Sequence, residues 1–183
     1  LVPMKIVVLV DNETQDPKVE VQHGLSMYIE TEQHKILFDL GQDDLFLRNA
    51  VRLNIDLKEV DTVVISHGHY DHGGGLKPFL AMNQKAKIYI QPKALEADYS
   101  CRDDHYHSIG LEVELVVVSR FVVTHQFFSI DDELTCFTTP SDTHKNQHKG
   151  LAIKTEDGFK SDPFEHEQSL WITSQDKTLL CTG

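Results

Sequence analysis

Apolar positions along this chain fall in short blocks rather than long stripes. Lys5 to Val10, dominated by the five-residue apolar run Ile6 to Val10 and closed by the turn pair Asp11-Asn12, reads as a strand. Leu25 to Glu30 alternates roughly between apolar and polar residues. After a short polar turn, Lys35 to Phe38 completes a predicted β-hairpin ending in Asp39-Leu40-Gly41. Behind Asp43-Asp44 the spacing changes: Leu45, Phe46, Leu47, Ala50, Val51 and Leu53 recur at three and four, predicting an amphipathic helix that stops at Asn54. Val60 to Ile65 is a strand running into a polar, glycine-rich loop. Leu76 to Met82 is a short helix with Pro78 in its first turn, and Lys87 to Ile90 is a further strand.

The pattern weakens from Pro92 to Gly110. Ala94 to Ala97 can form a helical turn, and Ser100 to Ser108 is polar enough to predict an exposed, mobile insertion carrying Cys101, His105 and His107. Strands are predicted at Val113–Val118 and Phe121–Val123, and a hairpin at Phe127–Ile130 and Leu134–Thr138. A polar loop, Pro140–Lys149, precedes strands at Leu151–Lys154, Ser169–Thr173 and Thr178–Cys181, with turns at Asp157-Gly158 and Asp162-Pro163. Trp171 and the phenylalanines read as core or groove residues. Cys136 and Cys181 read as buried, because thiols pack like small apolar groups. Many hairpins and few helices predict an α/β protein with mixed sheets rather than a regular βαβ series. No repeat or linker divides residues 1–183, so one domain is expected. Leu1-Val2-Pro3 stand ahead of Met4, which reads as the natural initiator.

Composition narrows the function. The chain is 40% hydrophobic and 25% charged, ordinary for a globular domain with a core. No apolar run approaches the ~18 residues of a membrane span and no signal peptide pattern opens the chain, so no membrane partner is expected. The formal net charge of −12 argues against nucleic acid as a partner, since such proteins show a basic face. Three cysteines without a CxxC pair fit reduced thiols and a cytoplasmic location. Eleven histidines point towards metal, imidazole being a common ligand.

The chemistry concentrates in Ser66-His67-Gly68-His69-Tyr70-Asp71-His72-Gly73-Gly74-Gly75, where three histidines and an aspartate fall within six positions behind a buried strand. Imidazole and carboxylate suit zinc, iron or manganese. The expectation is a centre for two divalent ions, zinc first, with His67, His69, Asp71 and His72 as ligands. Two ions about 3.5–4 Å apart can activate a shared water, which Asp71 would orient. The three glycines are expected to let the backbone bend sharply. Asp39, at a strand end, either supports this loop from behind or caps its own turn, two roles that are compatible. Asn12 either lines the mouth or only makes its turn, and His144, His148 and Lys149 in one polar loop are weak candidates for an anionic substrate group.

The run His67-x-His69-x-Asp71-His72 after a hydrophobic strand, with Asp39-Leu40-Gly41 ahead of it, resembles the signature of the metallo-β-lactamase superfamily. Within it, Val10-Asp11-Asn12, Gly24-Leu25-Ser26, the metal loop, His166-Glu167-Gln168-Ser169-Leu170 and Thr182-Gly183 resemble the branch of 7,8-dihydropterin-6-ylmethyl-4-(β-D-ribofuranosyl)aminobenzene-5′-phosphate synthases. The resemblance implies a four-layer αβ/βα sandwich with metals at one edge, and His166 as a further metal ligand. It also implies ligands beyond Gly183, hence a second half of the sandwich incomplete within this chain and an open side for a partner or a second copy. The activity implied is metal-dependent hydrolysis with an activated water, or a condensation joining a pterin methyl group to a phosphorylated aminobenzene riboside. The competing reading is a non-hydrolytic redox or sensing module on the same fold.

Overall fold

The computed structural model describes residues 3–111, 118–139 and 149–183. In chain order the elements are β1 (Lys5–Val10), β2 (Ser26–Glu30), β3 (Lys35–Phe38), α1 (Leu45–Arg52), β4 (Thr62–Val64), α2 (Tyr70–Gly73), α3 (Leu76–Met82) and β5 (Lys87–Ile90). They continue with β6 (Asp98–Arg102), β7 (His105–Ser108), β8 (Phe121–Val123), β9 (Phe127–Ser129), β10 (Leu134–Phe137), β11 (Leu151–Thr155), β12 (Gly158–Ser161), β13 (Ser169–Ser174) and β14 (Lys177–Cys181).

The first sheet has the order β1-β2-β3-β4-β5-β8. Its first three strands are antiparallel, and β3, β4, β5 and β8 are parallel. On one face, Leu9, Leu37, Val63, Ile65, Ile88 and Ile90 pack with Leu45, Phe46 and Ala50 of α1 and Leu76 and Phe79 of α3. On the other, Ile29, Ile36, Phe38 and Val64 meet Leu134, Cys136, Leu170, Ile172 and Cys181. Those five belong to the antiparallel second sheet, β14-β13-β10-β9. Burying both faces of the central strands explains why β3 and β4 read as unbroken apolar runs rather than alternating ones. The mixed α/β layering anticipated from the sequence is therefore present: helices, a six-stranded sheet, and a four-stranded sheet.

Two expectations change. Ser100–Ser108 is not an irregular insertion. It supplies most of a β-hairpin, β6–β7, in a third sheet of order β12-β11-β6-β7. Strand β7 is exposed along its length and β12 likewise, so neither carries the apolar alternation that marks a strand. The sheet curls until its edge strands touch: Tyr106 of β7 stacks on Phe159 of β12 at 3.8 Å, and Tyr99 meets Phe159 edge-on. Trp171 is not in the core. It lies on the outer face of the second sheet, 48% exposed, beside Phe137. The strand expected at Val113–Val118 lies mainly outside the described residues; Val118–Arg120 is a 3-10 turn.

The glycines after the metal loop are also explained differently. Gly73, Gly74 and Gly75 do not adopt positive φ. They allow close approach: a Cβ on Gly74 would stand 2.1 Å from the Gln42 carbonyl oxygen and 2.4 Å from that of Tyr70. Both are backbone atoms that cannot step aside. Gly74→Ala is expected to cost about 1–3 kcal/mol by overpacking, read from urea unfolding; an unchanged midpoint would reject this packing.

At the other end of the strands, His34 is clamped between Asp61 (Nδ1–Oδ1, 2.8 Å) and Asp131 (Nε2–Oδ2, 2.6 Å), joining the two main sheets. Burial disfavours charge on the ring, but the hydrogen bonds and charges of the two carboxylates outweigh it and raise the His34 pKa. A raised folded pKa means the stabilisation is complete below the unfolded value of about 6.5 and disappears as pH rises through the folded value. The melting temperature should fall across that interval in the native chain, and His34→Ala should flatten the dependence. An unaltered pH slope in the variant would contradict the clamp.

Candidate metal centre

Parallel strands bring the site together. Strands β3, β4, β5 and β8 all end on the same edge, so Asp39, Ser66–His67, Gln91 and Thr124 emerge side by side. Such an edge, beyond the carboxyl ends of parallel strands, is where α/β proteins build ligand sites. Gln168 closes the row from the second sheet. Its amide N–H donates to the Ser66 carbonyl, its Nε2 to the carbonyls of Ile65 and Tyr89, and its Oε1 accepts from Thr124.

Asp39 holds the loop at both ends. It is fully buried and sits in the left-handed region at φ 59°, a conformation that aspartate tolerates better than most residues. Its Oδ1 accepts from the Ser66 amide (2.7 Å), and its Oδ2 accepts from the Ser66 hydroxyl (2.6 Å) and contacts His72 Nδ1 (2.7 Å). With its proton drawn to Nδ1, His72 presents Nε2 outward, 3.5 Å from Asp71 Oδ2. Burial opposes charging of His72, yet Asp39 and Asp71 together raise its pKa to about 10.

The remaining loop residues converge on this point. His67 and His69 rings lie 4.6 Å apart edge-on, and His67 and His72 rings 4.1 Å apart. Ser66 Oγ is 2.8 Å from His67 Nδ1. One ligand atom from each of His67, His69 and Asp71 falls within 4.8 Å of the other two, and all three residues are buried. Burial, then the neighbouring His166, pushes the His69 pKa down to about 4, leaving a neutral imidazole; its Nε2 is buried without a hydrogen-bond partner. Burial works against ionisation of Asp71, but His72 and His23 hold its carboxyl below the usual range. Neutral imidazole, ionised carboxylate and an orphaned ring nitrogen are what a divalent cation requires, so the donor set fits one.

His166 lies beside the loop, 3% exposed, with its ring 5.3 Å from that of His69. Its Nδ1 accepts from the Gly68 amide at 2.9 Å, so the ring proton sits on Nε2, which donates to Asp162 Oδ2 at 2.9 Å. A ligand role would require His166 to give up one of these bonds. Asp98 is 1% exposed; burial raises its pKa to about 6, and its Oδ2 has no partner. Gly68 is glycine because Ala94 and Asp98 press against it: a Cβ there would be 2.6 Å from the Ala94 carbonyl oxygen and 2.8 Å from Asp98 Oδ2.

The weaker candidates are placed less centrally. Asn12 is exposed, and its Oδ1 accepts from the Gly24 amide, Gly24 itself lying against the Asp71 carbonyl. Lys149 is exposed in the turn ahead of β11, and His144 and His148 lie outside the described residues. Sequence reasoning passed over His23, whose Nε2 is 3.2 Å from Asp71 Oδ2, and over Asp98, while Asp162 was read only as part of a turn and Gln168 only as part of a resembling motif. No local spacing ties these residues to the loop; only the fold does.

Comparison with known proteins agrees with this geometry. A solved metal-dependent hydrolase of the beta-lactamase superfamily superposes with a TM-score of 0.77 at 29% identity, over 97% of this chain and 64% of that one. An uncharacterized protein of Methanocaldococcus jannaschii is 49% identical over 72 residues, covering 39% of this chain and 28% of its own length. The 7,8-dihydropterin-6-methyl-4-(beta-D-ribofuranosyl)-aminobenzene-5′-phosphate synthase of the same organism is 35% identical over 85 residues, covering 43% of this chain and 29% of its own. The chain thus spans under a third of the length of these two curated relatives and about two thirds of the solved structure. The family model of the metallo-beta-lactamase superfamily matches residues 19–133, and the chain belongs to that superfamily.

Proposed function

We propose that this protein is a metal-dependent hydrolase acting on a small, phosphorylated or pterin-like substrate, with two divalent ions, zinc first, at the loop of His67, His69, Asp71 and His72. The observation that carries the reading is the buried chain from Asp39 through His72 to Asp71, beside the unpartnered Nε2 of His69. A divalent cation bound there supplies the positive charge that makes a water nucleophilic near neutral pH.

The chain's own residues do the rest. Asp39 fixes the tautomer of His72, and Ser66, tied to the same carboxylate, fixes the start of the loop. Asp71 keeps its carboxyl ionised through His72 and His23, so it can orient a water and accept its proton. His67 and His69, fixed on a buried strand end, supply imidazole donors that need little rearrangement. The 35% identity to the synthase favours a second reaction on the same centre. That reaction would be a condensation joining a pterin methyl group to a phosphorylated aminobenzene riboside.

His67→Ala and Asp71→Asn are expected to lower turnover by roughly a hundredfold or more with the fold retained. The assays are hydrolysis of aryl phosphodiesters and esters, and mass detection of the pterin–aminobenzene product. Turnover equal to that of the native chain in both variants would exclude the assigned roles.

Asp39→Asn tests the support. Asparagine keeps the left-handed backbone but turns an N–H towards His72 Nδ1, moving the ring proton to Nε2 and blocking that nitrogen. Zinc affinity should drop about 10–100-fold with little change in melting temperature. A melting collapse without loss of affinity would make Asp39 a packing residue only.

A further inference from the structure

Two carboxylates outside the metal loop stay unexplained by it. Asp98 opens β6 and Asp162 follows β12, so both hang from the curled third sheet and reach the loop from its side. Asp98 is 1% and Asp162 8% exposed. Among the described residues their recorded ion-pair partner is His166 alone, Nε2 lying 2.9 Å from Asp162 and 3.9 Å from Asp98; no lysine or arginine joins them. A buried carboxylate as poorly matched as that of Asp98 is costly unless a cation or proton accompanies it.

Two orphaned atoms mark where the cation belongs. His69 Nε2 and Asp98 Oδ2 are both buried and both lack a hydrogen-bond partner. One ligand atom from each of His69, Asp98, Asp162 and His166 falls within 4.8 Å of the other three. His166 already spends both ring nitrogens, accepting from Gly68 and donating to Asp162. Asp162 Oδ1 accepts from the Phe164 amide, which fixes how its carboxylate faces the cluster.

We propose that His69, Asp98 and Asp162 form a divalent-cation position in which ligands from the third sheet join the metal loop, with His166 orienting Asp162 and Gly68 as a positioning residue. The inference rests on His69 being a metal ligand, as in the proposed function: this position is one of the two ions proposed there, it takes His69 Nε2, and it adds carboxylates that lie outside the motif. One imidazole and two carboxylates balance a divalent charge and suit zinc, manganese or iron. Because Asp98 and Asp162 terminate strands of the small sheet, the ion also anchors that sheet to the core.

The test uses chelator-stripped protein titrated calorimetrically with zinc alone and with manganese alone. Asp98→Asn and Asp162→Asn should each remove one binding event or weaken it at least about tenfold. Metal added to the native chain should slow amide exchange in Asp98–Arg102 and Gly158–Ser161, a readout that needs no variant to fold. Native-like titrations in both variants, as a protonated Asp98 would give, overturn the proposal. So does metal binding by the native chain without slowed exchange in those strands. Asp71→Asn separates the two readings. An ion lost in Asp71→Asn but kept in Asp98→Asn and Asp162→Asn refutes this site and leaves the loop centre standing. An ion kept in Asp71→Asn but lost in the other two supports this site and removes the loop centre instead.

Discussion

A single buried carboxylate, that of Asp39, holds the two ends of the metal loop in register. It accepts from the amide and hydroxyl of Ser66, where the loop leaves β4, and meets His72 Nδ1, where the loop enters α2. Between those anchors lie His67, His69 and Asp71, and the second anchor, His72, is itself a candidate ligand. Buried carboxylates are tolerated only when fully bonded, and here the bonds are to the residues whose positions matter. The left-handed backbone at Asp39 turns the chain so that Leu40 can donate to the His72 carbonyl, adding a main-chain tie to the same end of the loop. Stability and site geometry are thus one constraint: the group that needs partners and the ligand that needs a fixed tautomer satisfy each other.

The sheets make that constraint possible. Because β3 and β4 run parallel, the residue after one strand and the residue after the next emerge together, and Asp39 and Ser66 become neighbours though 27 positions apart. Both faces of the central strands are covered by apolar cores, which leaves the strand ends as the place where polar groups can collect. Gln168 uses that edge from the opposite sheet, spanning the ends of β4 and β5 and, through Thr124, β8. A histidine cluster placed on such an edge loses little order when a ligand arrives, since its backbone is already immobilised.

What was legible in the sequence was what is local. His67-x-His69-x-Asp71-His72 could be read as a ligand set because its donors are close in the chain, and Asp39 because it ends a strand two positions ahead of a glycine. The strands of the two cores were legible through their apolar runs. Of the third sheet only β11 was: β7 and β12 are exposed along their whole length, so neither shows alternation, and each pairs through backbone with an inner strand while a Tyr106–Phe159 stack that spacing does not announce joins the two edges. Asp98, Asp162 and His23 were invisible for a related reason. Each is an isolated polar residue in a polar stretch, and each acquires its place from a loop residue distant in the chain: His23 stands 48 positions from Asp71, Asp98 29 from His69 and Asp162 93 from His69. Trp171 misled in the opposite sense, since a large aromatic in a strand reads as core while this one faces outward.

The acidity of the chain bears on the same site. A net charge of −12 gives no reason to hold carboxylates inside the fold, where they add to the repulsion already present. Yet Asp39, Asp71, Asp98 and Asp162 are all buried at one edge, and the basic groups recorded against them are histidines. Histidine is a poor permanent counter-charge: near neutral pH it holds a proton only where its surroundings force it to, and His69 is driven the other way. Lysine or arginine would have neutralised the cluster for good and closed it. A set of four carboxylates matched with imidazoles keeps its positive charge exchangeable, which is the electrostatic form a site takes when its proper counter-ion is a metal.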